Sequence, residues 1–413
     1  MRDATVIGGG PSGLAAAVWL AEKGYDVAVV EVMGELGGML TQCIHDGFGT
    51  RVFGEALSGP EFSERLVKKA RLLGLRTFLK TYVKEVRIGK EFKEVVAVSP
   101  AGVQRLQTRV IVYAIGCRER NGFEIRLGGA RPAGVYTAGM VQRLVNLYGV
   151  LPGRRIVIMG GGDVGMIVAR HLHLEGVESI LMVFPEAGFA GLPRNVQQCV
   201  LDFGIPFRPR TVVKKVIGRE RVEGVVLTRV DEKWNPVEGT EEFHACDTVV
   251  LALGLVPYTG ELKLVVRMDP ATRGPEVNEF FETSVEGVFA VGNLVQVFDY
   301  VDDAFETACI AARGVEKYLN GGLKTAPVRL SPGGNVRMLA PQRVEWVDDG
   351  DVPVFLRPAV EKANVRVVVR NREGRILGGF FKRYVRPSTL ERIDVPRSML
   401  SNLQEVSIDI AED

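Results

Sequence analysis

The sequence lacks a charge excess of either sign. Its 52 Lys and Arg face 50 Asp and Glu, a net charge of +2. A nucleic-acid binder would ordinarily carry a basic excess on one face, so no nucleic-acid partner is expected. Long apolar runs are also missing. The longest, such as Thr248–Val256, are too short to cross a bilayer, so no membrane span is expected. The N-terminus enters an apolar strand at Ala4, so no signal peptide is expected. Cysteines are few and scattered, at positions Cys43, Cys117, Cys199, Cys246 and Cys309. None forms a C-x-x-C pair or has zinc-ligand spacing, so neither a dithiol nor a metal site is expected. An odd number without a disulfide framework fits a reducing compartment, and a cytoplasmic location is expected. Histidines are scarcer still, with four in the chain. His171 and His173 stand two apart on an expected helix, facing different ways, so they make no metal pair. His244 is isolated in the sequence.

Glycine, by contrast, is abundant at 48 residues. Its most informative cluster lies near the start. Thr5–Ile7 reads as a strand, Ser12–Lys23 as a helix, and Asp26–Glu31 as a second, buried strand. Between the first two lies Gly8-Gly-Gly10-Pro11-Ser12-Gly13, a G-x-G-x-x-G turn. Gly8 permits the turn, Gly10 lets the backbone approach a pyrophosphate, and Gly13 lets helix and strand pack closely. The phosphates would then sit at a helix N-terminus, which its free N–H groups and dipole favour. Glu31, at the end of the second strand, stands where a carboxylate accepts hydrogen bonds from ribose hydroxyls.

The same unit recurs about 150 residues later. Ile156–Met159 is the strand, Gly160-Gly-Gly162-Asp163-Val164-Gly165 the turn, Val164–Glu175 the helix and Ser179–Phe184 the next strand. Two such units imply two parallel-sheet domains. The acid is missing from the second. The position equivalent to Glu31 falls near Val183 or Phe184, with Glu186 slightly later and Arg194 in the following loop. The choice between NAD and NADP is therefore open. Glycines can also persist in such a turn because strand–helix packing needs them, with no nucleotide bound.

With these motifs in place, the chain resembles the pyridine-nucleotide/FAD-dependent oxidoreductases of the glutathione-reductase and thioredoxin-reductase type, over about residues 1–320. Gly8–Gly13 with Glu31 matches that family's FAD fingerprint. Val110–Gly116 matches its crossover out of the FAD domain, and Val249–Gly254 with Pro257 the return. Thr283–Asn293 matches its second FAD motif, with Asn293 in place of the usual acid after Gly292. Gly37–Gly49 and Gly128–Asn146 resemble flavoprotein subunits associated with glycerol-3-phosphate, proline and opine dehydrogenases. The resemblance implies an α/β fold with two nested Rossmann-like dinucleotide-binding domains plus a small, mostly β C-terminal domain. It implies an FAD domain over residues 1–117 and 247–322, an NAD(P)-binding-like domain over 118–246, and a β domain over 323–413 available for assembly. Deleting residues after about Leu323 would then leave FAD bound.

For the sites, the resemblance implies FAD on Gly8, Gly10, Pro11, Ser12, Gly13, Glu31, Gly37, Gly38, Met39, Ala114, Gly116, Gly292 and Asn293. It implies NAD(P) on Gly160, Gly162, Asp163, Val164 and Gly165. A helix over about Ala304–Tyr318 would point its N-terminus at the flavin. Cys43 stands alone, which disfavours thiol–disulfide exchange. Cys43 and His45 would lie near the flavin, where His45 could tune or protonate it. Asp302, Asp303 and Glu306 read as capping and dipole-favourable acids, and Asp348–Asp351 as a solvated turn.

The expected function is FAD-dependent hydride transfer with NAD(P)H, in a subunit of a multi-subunit dehydrogenase. A second reading is a flavoprotein that oxidises an amine, opine or glycerol-3-phosphate-type substrate without NAD(P). A third is a structural flavoprotein subunit without turnover. Expected partners are a small-molecule substrate or electron carrier, and other dehydrogenase subunits or further copies of the chain.

Overall fold

A strand with no polar face must be covered on both sides, and Val27–Val30, reading Val-Ala-Val-Val, is such a strand. The computed structural model describes residues 1–412. Its first strand is β1 (Arg2–Ile7), followed by helix α1 (Pro11–Glu22) and then β2 (Val27–Val30). Helix α2 (Gly59–Leu72) and strands β3 (Arg76–Phe78), β4 (Tyr82–Ile88), β5 (Lys93–Ser99) and β6 (Gly102–Tyr113) come next. The sheet runs β3-β2-β1-β6-β5-β4, and the short strand Val288–Ala290 also pairs with β6. β1 lies between β2 and β6, parallel to both, with Ile7 beside Val30 and Tyr113. The crossover through α1 joins parallel strands, so the carboxyl ends of β1 and β2 lie at one edge.

The chain folds as two compact units. One joins Met1–Cys117 to the chain from Val256 onward, and the other is Arg118–Leu255. The second unit repeats the pattern on a parallel sheet. Arg155–Met159 is flanked by Ser179–Val183 and Thr248–Leu251, and the Asp163–Leu174 helix follows its glycine turn. An antiparallel sheet of Thr211–Gly218, Val222–Arg229 and Glu242–Ala245 completes it.

Local signals explain several ends. α2 begins at Gly59, ahead of its first buried aromatic, Phe62, because Ser58 and Glu61 form a reciprocal capping box there. The helix expected over Ala304–Tyr318 extends over Val301–Leu319.

The C-terminal β region is built of two sheets. Strands at Val352–Pro358 and Glu391–Val395 join Val336–Ala340 in a three-stranded sheet. Lys324–Pro332, Arg343–Trp346, Glu405–Glu412, Lys362–Asn371 and Ile376–Val385 form a five-stranded one. Val354, Leu356, Val367, Val369, Ile408 and Ile410 are buried in their common core. This region is also tied into its own unit. Ala340, Trp346 and Phe355 belong to the same apolar core as β1, β6 and the Val301–Leu319 helix. Polar ties add to it: Glu279, 2% exposed, accepts from the Trp346 N–H at 2.8 Å and from Arg397 at 3.2 Å. Removing residues after Leu323 would therefore uncover the core of the first unit. That reverses the expectation that such a deletion leaves FAD bound.

Candidate dinucleotide-binding sites

Two kinds of glycine meet at the end of β1. Gly8 turns at φ +108°, and a Cβ there would lie 2.4 Å from the Ala114 carbonyl oxygen. At Gly13 a Cβ would lie 1.9 Å from the Gly8 oxygen, so α1 lies against β1 only because that side chain is absent. Protein packing alone accounts for both. Gly10 differs: its backbone is extended, and a Cβ would meet only Gly38 Cα, at 3.8 Å. Neither strain nor crowding demands glycine there. A ligand lying against the backbone would.

The rest of the site gathers around this turn. α1 has no side-chain cap, and Pro11 at its start has no N–H, so the N–H groups just beyond it are available as anion donors. Glu31, 6% exposed, accepts from the Gly9 N–H at 2.6 Å and the Met33 N–H at 2.7 Å. Those bonds fix the carboxylate beside the turn, and each oxygen keeps acceptor capacity for a ribose hydroxyl. Gly37 and Gly38 both take positive φ, and Gly38 closes against Gly10. Met39, beside them, is more than half exposed. Ala114 and Gly116 follow the end of β6, Gly116 at φ +71°. At Gly292 a Cβ would lie 2.3 Å from Ser12 Oγ. That hydroxyl donates to the Ala304 carbonyl at 3.0 Å, which locks α1 to the start of the Val301–Leu319 helix. This second helix also lacks a side-chain cap. Asn293 is turned inward, its amide oxygen accepting from the Phe298 N–H at 3.0 Å and its Nδ2 lying 3.5 Å from Cys117 Sγ. These features fit a dinucleotide, with phosphates on the α1 terminus and the adenosine ribose at Glu31.

The acids at the start of the Val301–Leu319 helix do not cap it. Asp302, 3% exposed, accepts from the backbone N–H groups of Gly49, Arg51 and Val52 at 3.1, 2.9 and 3.0 Å. Asp303 pairs with Arg51 at 2.6 Å, and burial raises its pKa. Glu306 pairs with Arg392. The sequence carried no signal for the link from Asp302 to the Gly49–Val52 loop, because its partners are 250 positions away.

Cys43 and His45 lie on the segment that this loop continues. The Cys43 thiol donates to the Met39 carbonyl at 3.3 Å, and burial pushes its pKa up to about 11. It is a protonated thiol at neutral pH, a poor nucleophile. His45 rests on Phe48, ring centroids 4.8 Å apart, with Nδ1 3.0 Å from the Asp46 carbonyl. A carbonyl only accepts, so Nδ1 carries a proton and Nε2 is the other site for one. Elsewhere, His173 packs edge-on against Phe203, and burial is the leading cause lowering the His244 pKa. Among the described residues no three His, Cys, Asp or Glu side chains are grouped to hold a metal ion.

The second unit repeats the division between glycines. A Cβ at Gly160 would lie 2.1 Å from the Ala252 oxygen, and one at Gly165 2.5 Å from the Gly160 oxygen. Gly162 is extended and a Cβ there would meet nothing within 4 Å. The helix it begins has no side-chain cap. The Asp163 carboxylate is engaged by the Leu192 N–H at 2.8 Å and Asn195 Nδ2 at 2.7 Å, which leaves the backbone here available to a ligand. Val164 beside it is 39% exposed. The phosphate cradle fits a dinucleotide. The strand end departs from the first site, because Phe184, fully buried, fills the place of the acid.

A family model described as pyridine nucleotide-disulphide oxidoreductase matches residues 2–313. The chain belongs to this family. As a pyridine nucleotide-disulphide oxidoreductase family member it is an oxidoreductase, and FAD and NAD(P)H are the cofactors that go with that membership. The chain is 24% identical to a thioredoxin reductase of Listeria monocytogenes over 77% of its own length and 93% of the relative's. It is 28% identical to the glutamate synthase [NADPH] small chain of Halomonas elongata, over 77% of its length and 68% of the relative's. In fold it is similar to Lactococcus lactis thioredoxin reductase, with TM-score 0.66 at 20% identity, over 78% of this chain and all of that one. The fold is the expected α/β arrangement with Rossmann-type domains and a C-terminal β region. No helix among the described residues is long and apolar enough to cross a membrane.

Proposed function

We propose that this chain transfers hydride between NAD(P)H and a bound FAD, as the flavoprotein subunit of a larger cytoplasmic dehydrogenase. One observation carries the reading. Gly10 and Gly162 are glycines at two equivalent turns where neither backbone conformation nor packing requires glycine. Each opens onto an uncapped helix N-terminus, so a pyrophosphate-bearing ligand explains both.

When bound, FAD supplies the acceptor for the hydride that the nicotinamide delivers. The protein's part is binding and orientation. Gly8–Gly13 and Glu31 hold the adenosine end of FAD. Gly37–Met39, Ala114, Gly116, Gly292 and Asn293 line its further course. Gly160, Gly162 and Gly165, with the backbone of Asp163 and Val164, hold NAD(P). Cys43 remains a packed thiol, while His45 Nε2 holds or releases a proton beside the flavin. This assignment gives no role to thiol–disulfide exchange, although relatives are named thioredoxin reductases. A place in a larger assembly is supported by the likeness to a protein named as the small chain of a glutamate synthase.

The test is to purify the protein, record its flavin spectrum, and add NADH or NADPH anaerobically. Bleaching of the visible flavin band supports the reading. A bound flavin that ignores both donors, yet is bleached by a metabolite, overturns it. The pH profile of bleaching in His45→Ala tests the proton role: an unchanged profile removes it.

A further inference from the structure

The second site differs from the first where the ribose of a dinucleotide would lie. Met159 stands beside Val183 in the second sheet as Ile7 stands beside Val30 in the first. Phe184 therefore occupies the place of Glu31. Its ring lies directly against Gly161, where a Cβ would come within 2.8 Å of it, and packs on Phe189 at 4.7 Å. A hydrocarbon ring accepts no hydrogen bond from a ribose hydroxyl in the way a carboxylate does.

Two residues further on is Glu186, the first ionisable side chain past the strand end. Its backbone is fixed, since its carbonyl accepts from the Arg210 N–H and the Phe184 carbonyl from the Thr211 N–H, both at 3.0 Å. Its side chain is half-buried, and burial raises its pKa with no neighbouring cation to oppose the shift. The cations on the adjoining stretch are committed elsewhere. Arg208 makes two bonds to Glu242, at 2.8 and 3.3 Å, and Arg210 lies 3.5 Å from Glu232. From Ala187 through Pro193 no residue is cationic. Arg194 is exposed on the short helix Pro193–Val196 that follows.

A 2′-phosphate at this rim needs an arginine and would instead meet a carboxylate, whereas a 2′-hydroxyl can donate to that carboxylate. We propose that the second site selects NADH over NADPH, and that Glu186 is the residue that sets this choice. The inference rests on the reading of this site as a nucleotide site given above. It departs from the NADPH that the glutamate synthase relative carries in its name.

The experiment uses the full-length flavoprotein and two readouts. Calorimetry compares ADP-ribose with its 2′-phosphate, which reports binding without turnover, and anaerobic flavin bleaching compares NADH with NADPH. The expected result is a preference of about tenfold or more for the unphosphorylated form in both. Glu186→Gln should narrow the preference, because it removes the charge and keeps an acceptor. Glu186→Arg should narrow it further or reverse it. Arg194→Ala and Arg210→Ala should leave it unchanged. Equal or tighter binding of the 2′-phosphate overturns the inference, as does a preference that Glu186→Arg leaves intact. Binding of neither compound overturns instead the reading of the second turn as a nucleotide site, and this inference with it.

Discussion

The Asp302 carboxylate accepts a hydrogen bond from the backbone N–H of Arg51 at 2.9 Å, from the first turn of the Val301–Leu319 helix. Its other bonds, to Gly49 and Val52, make it the anchor of a whole loop. Asp302→Ala leaves these N–H groups without their acceptor. The expected loss is about 2–4 kcal/mol of unfolding free energy. Chemical denaturation of the variant checks this. A loss below about half a kcal/mol would mean that water replaces the carboxylate and the loop is not held by it.

Under the proposed function, Gly10 and Gly162 face different cofactors. Gly10→Ala and Gly162→Ala place a methyl where the protein has room. Each should change the stability of the unliganded fold by no more than about 1 kcal/mol. Gly10→Ala should lower flavin content after purification. Gly162→Ala should keep the flavin and slow its bleaching by NADH about tenfold or more, since its methyl intrudes on the pyrophosphate path. Normal flavin content in the first variant, or an unaltered rate in the second, would remove the ligand explanation for that glycine.

Arg397 reaches Glu279, which is 2% exposed and whose pKa burial raises. Arg397→Ala removes the cation but leaves the bonds from Glu345 and Trp346. Destabilisation of about 2–4 kcal/mol is expected, followed by thermal unfolding monitored at the flavin. Flavin release well below the variant's overall unfolding temperature would count against a single shared core. Truncation after Leu323 should have the larger effect, leaving a chain that does not retain flavin.

Alkaline stability follows from the buried thiols. Burial raises the pKa of Cys43 and of Cys246 from 9.0 to about 11. A folded-state pKa above the unfolded value contributes stability that is complete below the unfolded pKa and is lost as pH rises through the folded one. Unfolding free energy should therefore fall between pH 9 and 11, by roughly 2–3 kcal/mol for each thiol. Cys246→Ala should flatten that fall. An equally steep fall in the variant would assign it to other groups.

Much of this protein was legible as sequence because its main signals are local. Gly8–Gly13 and Gly160–Gly165 each lie between a strand and a helix within a dozen or so residues. Backbone turn, helix start and phosphate cradle are encoded together in such a stretch, and so the fold class followed. The C-terminal β region was expected as a whole. Val352–Pro358, buried almost throughout, shows no alternation and gave no such sign.

What tertiary structure alone decided depends on residues far apart in the chain. Only the fold could set Asp302 on the Gly49–Val52 loop, or Phe184 against Gly161. It alone could join Trp346 and Phe355 to the core beneath β1 and β6. It also separated glycines that packing requires from glycines that it does not, a difference invisible in the letters. Sequence spacing records what the backbone does over one or two turns. Which side chain fills a distant space is settled only when that space is closed.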